Sequence, residues 1–236
     1  MIGQDFEKIS FDFLGLELLE PNAFIGDLII AILSFLFAHK TYKIYKRTLS
    51  NNHKYWLLFF LVFGIGFLAG GLGHLLFNYW GIPGKFVSWY SGVVFPFLIE
   101  MAMFSLLKEK EMLFKLLAKI KLVIGLVILT LIIIKYDLNK DMTKGMIVPT
   151  YSSLIGLFFA LGYLGYVFSI KMHKSFNLLW ISILVMLPSV FFQSMKINLH
   201  PWFDRNDVGH FLLIINIILY FSSIVKYDKY KTSLLN

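Results

Sequence analysis

Six side chains able to move protons, ligate cations or hydrogen-bond a headgroup interrupt otherwise apolar sequence: Asp27, His74, Asn78, Asn206, Asp207 and His210. Imidazole and carboxylate groups do acid–base and ligand chemistry, and amides both donate and accept hydrogen bonds. Surrounded by hydrocarbon such groups are costly, so they must face one another, water or a ligand. Their spacing suits a common depth. Asp27 follows Asn22 by five residues, about 7 to 8 Å along a helix. Asn78 lies one turn beyond His74, and Asn206 and His210 are i,i+4 neighbours on one helix face. Polar residues recur at matching positions elsewhere: Ser88, Tyr90 and Ser91, then Tyr151, Ser152 and Ser153, then Gln193 and Ser194. This predicts a polar pocket at one end of the molecule, lined by Asn206, Asn78, Tyr151, Ser152 and Gln193. Serine and tyrosine also fit an ordinary helix end at headgroup level, whereas Asp27, His74 and His210 fit that less well. Glu100 stands apart, expected to snorkel toward Lys108 or to pair with a neighbouring helix. His39, His53 and His173 lie among lysines and read as surface residues.

The elements that must carry these residues are set by composition. The chain has 236 residues, 58% hydrophobic and 15% charged, with a mean hydropathy of +0.73, which no water-soluble core could hide. Apolar stretches near 22–39, 55–79, 86–107, 113–134, 147–170, 176–195 and 206–225 are each long enough to cross roughly 30 Å of hydrocarbon. The expectation is an all-α membrane protein: a seven-transmembrane helix bundle over 22–225, in the cell membrane of a bacterium (its inner membrane). Assigning alternate loops to each side places fifteen Lys and Arg residues on one and seven on the other. Positive-inside puts the amino terminus outside and the carboxyl terminus in the cytoplasm. Residues 1–21 interleave Ile9, Phe11, Phe13, Leu14, Leu16, Leu18 and Leu19 with acids, and read as an amphipathic segment on the outer surface. Residues 226–236 read as a short basic cytoplasmic tail. The start of the chain has no secretory signal pattern, so the first span reads as an uncleaved anchor.

Composition also excludes chemistry. Cysteine is absent, which removes disulfides, thiol nucleophiles and thiolate metal sites, so any metal must use His, carboxylate or amide ligands. The net charge of +8 sits in short loops beside apolar spans, which argues for membrane topology and against nucleic acid. No lysine lies between His210 and Lys226, against a retinal protein, and no haem or flavin is expected. Gly66 and Gly70 form a GxxxG, and Gly156, Ala160, Gly162 and Gly165 repeat the habit, which suits close helix packing in lipid. Pro96 and Pro188 should kink their helices.

Glu17-Leu-Leu-Glu-Pro-Asn22, followed by Ile25-Gly-Asp27, resembles the amino-terminal stretch of alkaline ceramidases. Gly70-Gly-Leu-Gly-His74 is similar to the Ser-x-x-x-His motif of the CREST superfamily (ceramidases and progestin/adipoQ receptors). Asn206-Asp-Val-Gly-His210 stands where that superfamily has His-x-x-x-His. The stretch Trp202-Phe-Asp-Arg-Asn-Asp-Val-Gly-His210 also resembles the end of uncharacterised bacterial seven-helix proteins, the nearer kinship. The resemblance implies calcium held by Glu17, Glu20 and Asn22, and zinc held by His74 and His210. Departures are plain: Gly70 replaces the serine, Asn206 replaces a histidine, and Lys85 stands where an aspartate belongs. With two zinc histidines left, Asp27 or Asp207 would have to complete the set, and Asp207 is the candidate base.

Two functions follow. One is a non-enzymatic protein that binds a lipid or small amphiphile in the pocket, as a sensor or an accessory subunit with a protein partner or a second copy of itself. The alternative is a metal-dependent intramembrane lipid hydrolase of amidase type, in which zinc lowers the pKa of a bound water. A transporter fits less well, for want of a second carboxylate–histidine relay toward the other face.

Overall fold

The computed structural model describes residues 2–3 and 5–234. Seven helices are long and apolar enough to cross a membrane: α1 (Pro21–Thr48), α2 (Asn51–Leu75), α3 (Ile82–Phe104), α4 (Glu111–Lys135), α5 (Thr143–Lys171), α6 (Lys174–Ser194) and α7 (Arg205–Ser233). The all-α, seven-helix membrane bundle expected from hydropathy is the fold. α2 packs between α1 and α3, α7 lies against α1 and α6, and α5 lies against α3 and α6. α4 leans on α3 and α5 from outside. Only 17% of its apolar window is buried, against 56% for α3, so α4 is the most lipid-facing helix.

Small residues on α2 set the approach of its neighbours. A Cβ on Gly66 would come 2.6 Å from Ser91 on α3, and one on Gly71 would come 2.9 Å from the Cβ of Asp27 on α1. The backbones therefore close where side chains are missing, which is how helices gain dispersion energy in lipid. Deeper in the bundle, Trp56, Phe59 and Phe63 of α2 meet Tyr220 of α7 and Phe95 of α3. Pro96, Pro149 and Pro188 all lie inside helices, and α5 passes through a π-helical turn at Phe158–Tyr163.

Several helices outrun their apolar windows. α1 continues through the lysines of 40–46, and α7 runs on to Ser233 with Tyr227 and Asp228 buried. The expected tail is thus packed helix over 226–233; its residues 235 and 236, like residues 1 and 4 of the expected surface segment, lie outside the described residues. His53 is not a surface residue. α1 stops at Leu49, which adopts φ 48°, and α2 starts two residues later. That tight connection folds His53 back against α1, where it is 3% exposed with Nδ1 2.8 Å from Thr48 Oγ1.

The surface segment expected over 1–21 contains a β-hairpin, β1 (Ser10–Phe13) and β2 (Leu16–Leu19), with Phe13 opposite Leu16. Its two-residue turn needs left-handed backbone at both positions, which Leu14 (φ 52°) and Gly15 (φ 79°) supply. The hairpin is fastened to the α2–α3 connection. The backbone N–H of Glu17 donates to Tyr79 Oη at 2.9 Å, and Asn78 Nδ2 donates to the Glu17 carbonyl at 3.3 Å.

Candidate functional site

At the hairpin end of the bundle α1, α2 and α7 bring four sequence-predicted residues into two linked groups. Asp27 is 3% exposed, and its Oδ1 lies 3.1 Å from His210 Nε2 across the α1–α7 contact. Glycine makes this possible on two sides. Gly71 leaves room for the Asp27 side chain, and a Cβ on Gly26 would come 2.8 Å from His210 Nδ1. In the second group Asn22 Nδ2 donates to Asp207 Oδ2 at 2.8 Å, and the same oxygen accepts the backbone N–H of Asp204 at 2.9 Å. Asp204 caps the start of α7 reciprocally, so Asp207 is one half of a capping box and joins α7 to α1.

His74 lies one turn below Gly70 on α2, with Nδ1 2.9 Å from Glu20 Oε2; Lys8 Nζ donates to the same oxygen at 2.9 Å. Burial alone would raise the Glu20 carboxyl, but the hydrogen bond and charge of His74, with Lys8 behind them, outweigh it and hold the group at about 2. Asp5 is likewise held below its usual range, chiefly by its hydrogen bond from Arg205. Arg205 Nε donates in turn to Gln193 Oε1 at 3.1 Å, and Gln193 Nε2 donates to Asn206 Oδ1 at 3.0 Å. Gln193 and Asn206 therefore form a rim that ties α6 to α7.

Two expected pocket residues are elsewhere. Tyr151 is 60% exposed on the lipid-facing surface of α5. Ser152 is buried one helix away, where its carbonyl lies 3.4 Å from Lys121 Nζ. Lys121 also pairs with Glu100 at 2.7 Å, so Glu100 finds its partner on a neighbouring helix and not at Lys108. Residue number suggested the depth of the cluster for both, but the packing of α5 turns Tyr151 outward and sets Ser152 beside the Lys121–Glu100 pair.

One member is absent from the sequence-based set. Lys85, at the start of α3, is 5% exposed, and its Nζ has no hydrogen-bond partner. It lies within electrostatic reach of Asp27 and Glu20. Its signal in the sequence was a lone lysine standing where the family resemblance wants an aspartate. His210 Nδ1 is also buried without a partner. Farther along α7, both amide atoms of the fully buried Asn216 are unpartnered.

As placed, these groups do not make the implied metal sites. Among the described residues no three His, Asp or Glu side chains converge closely enough to hold a metal ion. Asp27 is spent on His210 and Glu20 on His74 and Lys8, while the Asn22 amide is spent on Asp207 and Glu17 is exposed. As the side chains stand, neither the zinc set His74, His210 and Asp27 nor the calcium set Glu17, Glu20 and Asn22 is assembled. A cavity of about 30 Å³ lies under the amino-terminal segment, lined by residues including Lys8, Glu20, Asn22 and Asp204. That holds about one water molecule.

Fold and cluster together define a polytopic seven-helix membrane protein with a buried polar site at one end. The chain belongs to a family described as "Family of unknown function (DUF6962)", which matches residues 23–229. No curated protein and no solved structure matches it.

Proposed function

We propose that the protein sits in the cell membrane with its hairpin end outside and binds there the polar headgroup of a lipid or small amphiphile, as a sensor or accessory subunit. The excess of basic residues at the opposite end supports the orientation. The observation that carries the binding reading is Lys85. An ammonium group buried beside the Asp27–His210 pair without a hydrogen bond of its own is expensive, and a headgroup phosphate or carboxylate would supply what it lacks.

The test is lipid retention by the purified protein, read by native mass spectrometry after extraction in mild detergent. Wild type should carry a lipid or amphiphile that Lys85→Met loses at least tenfold. Equal retention by both proteins would sink the reading.

One observation favours the hydrolase alternative: Asp27 holds His210 by one ring nitrogen and leaves the other without a partner, as carboxylates do for metal-binding imidazoles. That reading requires His74 to leave Glu20. Metal content decides it. Stoichiometric zinc in wild type, lost in both His74→Ala and His210→Ala, would support the CREST-like hydrolase.

A further inference from the structure

At the end of the bundle away from the hairpin, the α3–α4 connection and the first turns of α4 enclose an open groove of about 720 Å³. Four of the groove's lining residues are lysines: Lys108, Lys110, Lys115 and Lys119. Two acids stand nearby. Glu111 is spent on an ion pair with Lys115 one turn on, and Glu109 is exposed between Lys108 and Lys110. Among the described residues no carboxylate pairs with Lys108, Lys110 or Lys119, and the next lysine along, Lys121, is taken by Glu100. The groove is therefore net positive, with three lysines outside any ion pair.

The same helix also gives the groove an apolar lining. Met112 and Leu116 line it, and with Leu113 and Leu117 they are at least half exposed on the lipid-facing side of α4. Behind them Phe114 packs on Phe104 and Phe159, at centroid distances of 5.4 and 5.5 Å, which fixes the floor. Ammonium groups at a helix end beside apolar side chains that continue down the same helix match one kind of molecule: phosphate above, acyl chains below. A soluble anion would use the lysines and leave the apolar wall unexplained.

We propose that this groove is a binding site for an anionic phospholipid, and that a lipid carrying two phosphodiesters on one glycerol fits it best. Three ammonium groups outside any ion pair exceed what one phosphate neutralises. The site lies at the opposite end of the bundle from the hairpin cluster and stands or falls independently of it.

Native mass spectrometry of the full-length protein tests this, titrating in turn cardiolipin, phosphatidylglycerol and phosphatidylcholine, with inorganic phosphate as competitor. Cardiolipin should bind more tightly than phosphatidylglycerol, and phosphatidylcholine should not compete. Each lysine replaced by glutamine should weaken cardiolipin about fivefold at low salt. Lys108→Gln, Lys110→Gln and Lys119→Gln together should then cost on the order of a hundredfold. The three arginine replacements should retain binding. Should the triple glutamine variant not fold, Lys119→Gln alone carries the test with its fivefold loss. Equal binding of all three lipids, unchanged binding in the glutamine variants, or displacement by millimolar inorganic phosphate would each overturn the proposal, the last reducing it to an ion site.

Discussion

The two ends of the α1–α7 contact use the same residue types to opposite effect. The helices run in one register, marked by Asp27 with His210 at the hairpin end, Phe37 stacked on Phe221 at 4.4 Å in the middle, and Arg47 paired with Asp228 at the far end. At the far end the buried charge is paired: Asp228 has Arg47, while His53 meets Thr48 through Nδ1 and leaves Nε2 buried without a partner. At the hairpin end the pairing is incomplete, because Asp27 shares its carboxylate with His210 while Lys85 keeps an empty ammonium. An acid, a base and a histidine thus make a clamp in which acid and base are paired, and a site in which the buried lysine is left without a hydrogen bond.

Breaking the clamp should cost most. Arg47→Leu leaves the Asp228 carboxylate buried without its cation and should destabilise the protein by about 2–3 kcal/mol, the outward-facing Arg47 keeping the loss below that of a fully buried pair. Thermal unfolding in detergent measures this, and an unchanged midpoint would remove the clamp from the comparison.

Next in size is the response to acid at the hairpin end. Glu20 sits at about 2 in the folded protein against 4.5 for a free glutamate. Its stabilisation is therefore full above about pH 4.5 and is lost as pH falls toward 2, with an upper bound of about 3 kcal/mol. Glu20→Gln should flatten that part of the stability–pH curve relative to wild type. Parallel curves would show that His74 and Lys8 do not hold the carboxylate.

Lys85→Met should move stability the other way, raising it by about 1–2 kcal/mol because a buried amine without a hydrogen bond is replaced by an apolar chain of similar length. A variant that gains stability while losing its ligand is the signature of a site, and a variant that loses stability would make Lys85 part of the clamp logic instead. Smallest of all is the expected effect of a chelator: the unfolding midpoint of wild type should not move on adding excess EDTA. A drop of several degrees would mean that the His74 and His210 groups rearrange around a metal.

Much of the fold was legible because lipid imposes a coarse rule. Backbone polar groups must be satisfied within each span, so seven apolar stretches read directly as seven helices. Helix ends were less legible, since residues 40–47 and 226–233 are charged yet helical, held by contacts such as Arg47 to Asp228 that hydropathy does not register. The hairpin was hidden for a similar reason. Its alternation of Phe11, Asp12 and Phe13 reads as amphipathic in either secondary structure, and the left-handed Leu14–Gly15 turn is settled only when the strands pair.

For the site, the sequence by itself determined which residues are too costly to bury idly and that Asp27, His74, Asp207 and His210 share one end of the bundle. Depth follows from residue number at a fixed rise per residue, so a linear reading recovers it. Rotation about each helix axis and the identity of each partner do not follow, because both depend on how neighbouring helices pack. Only the tertiary structure turned Tyr151 and Ser152 away, bound His74 to Glu20 and His210 to Asp27, and left Lys85 beside them with an ammonium group to satisfy.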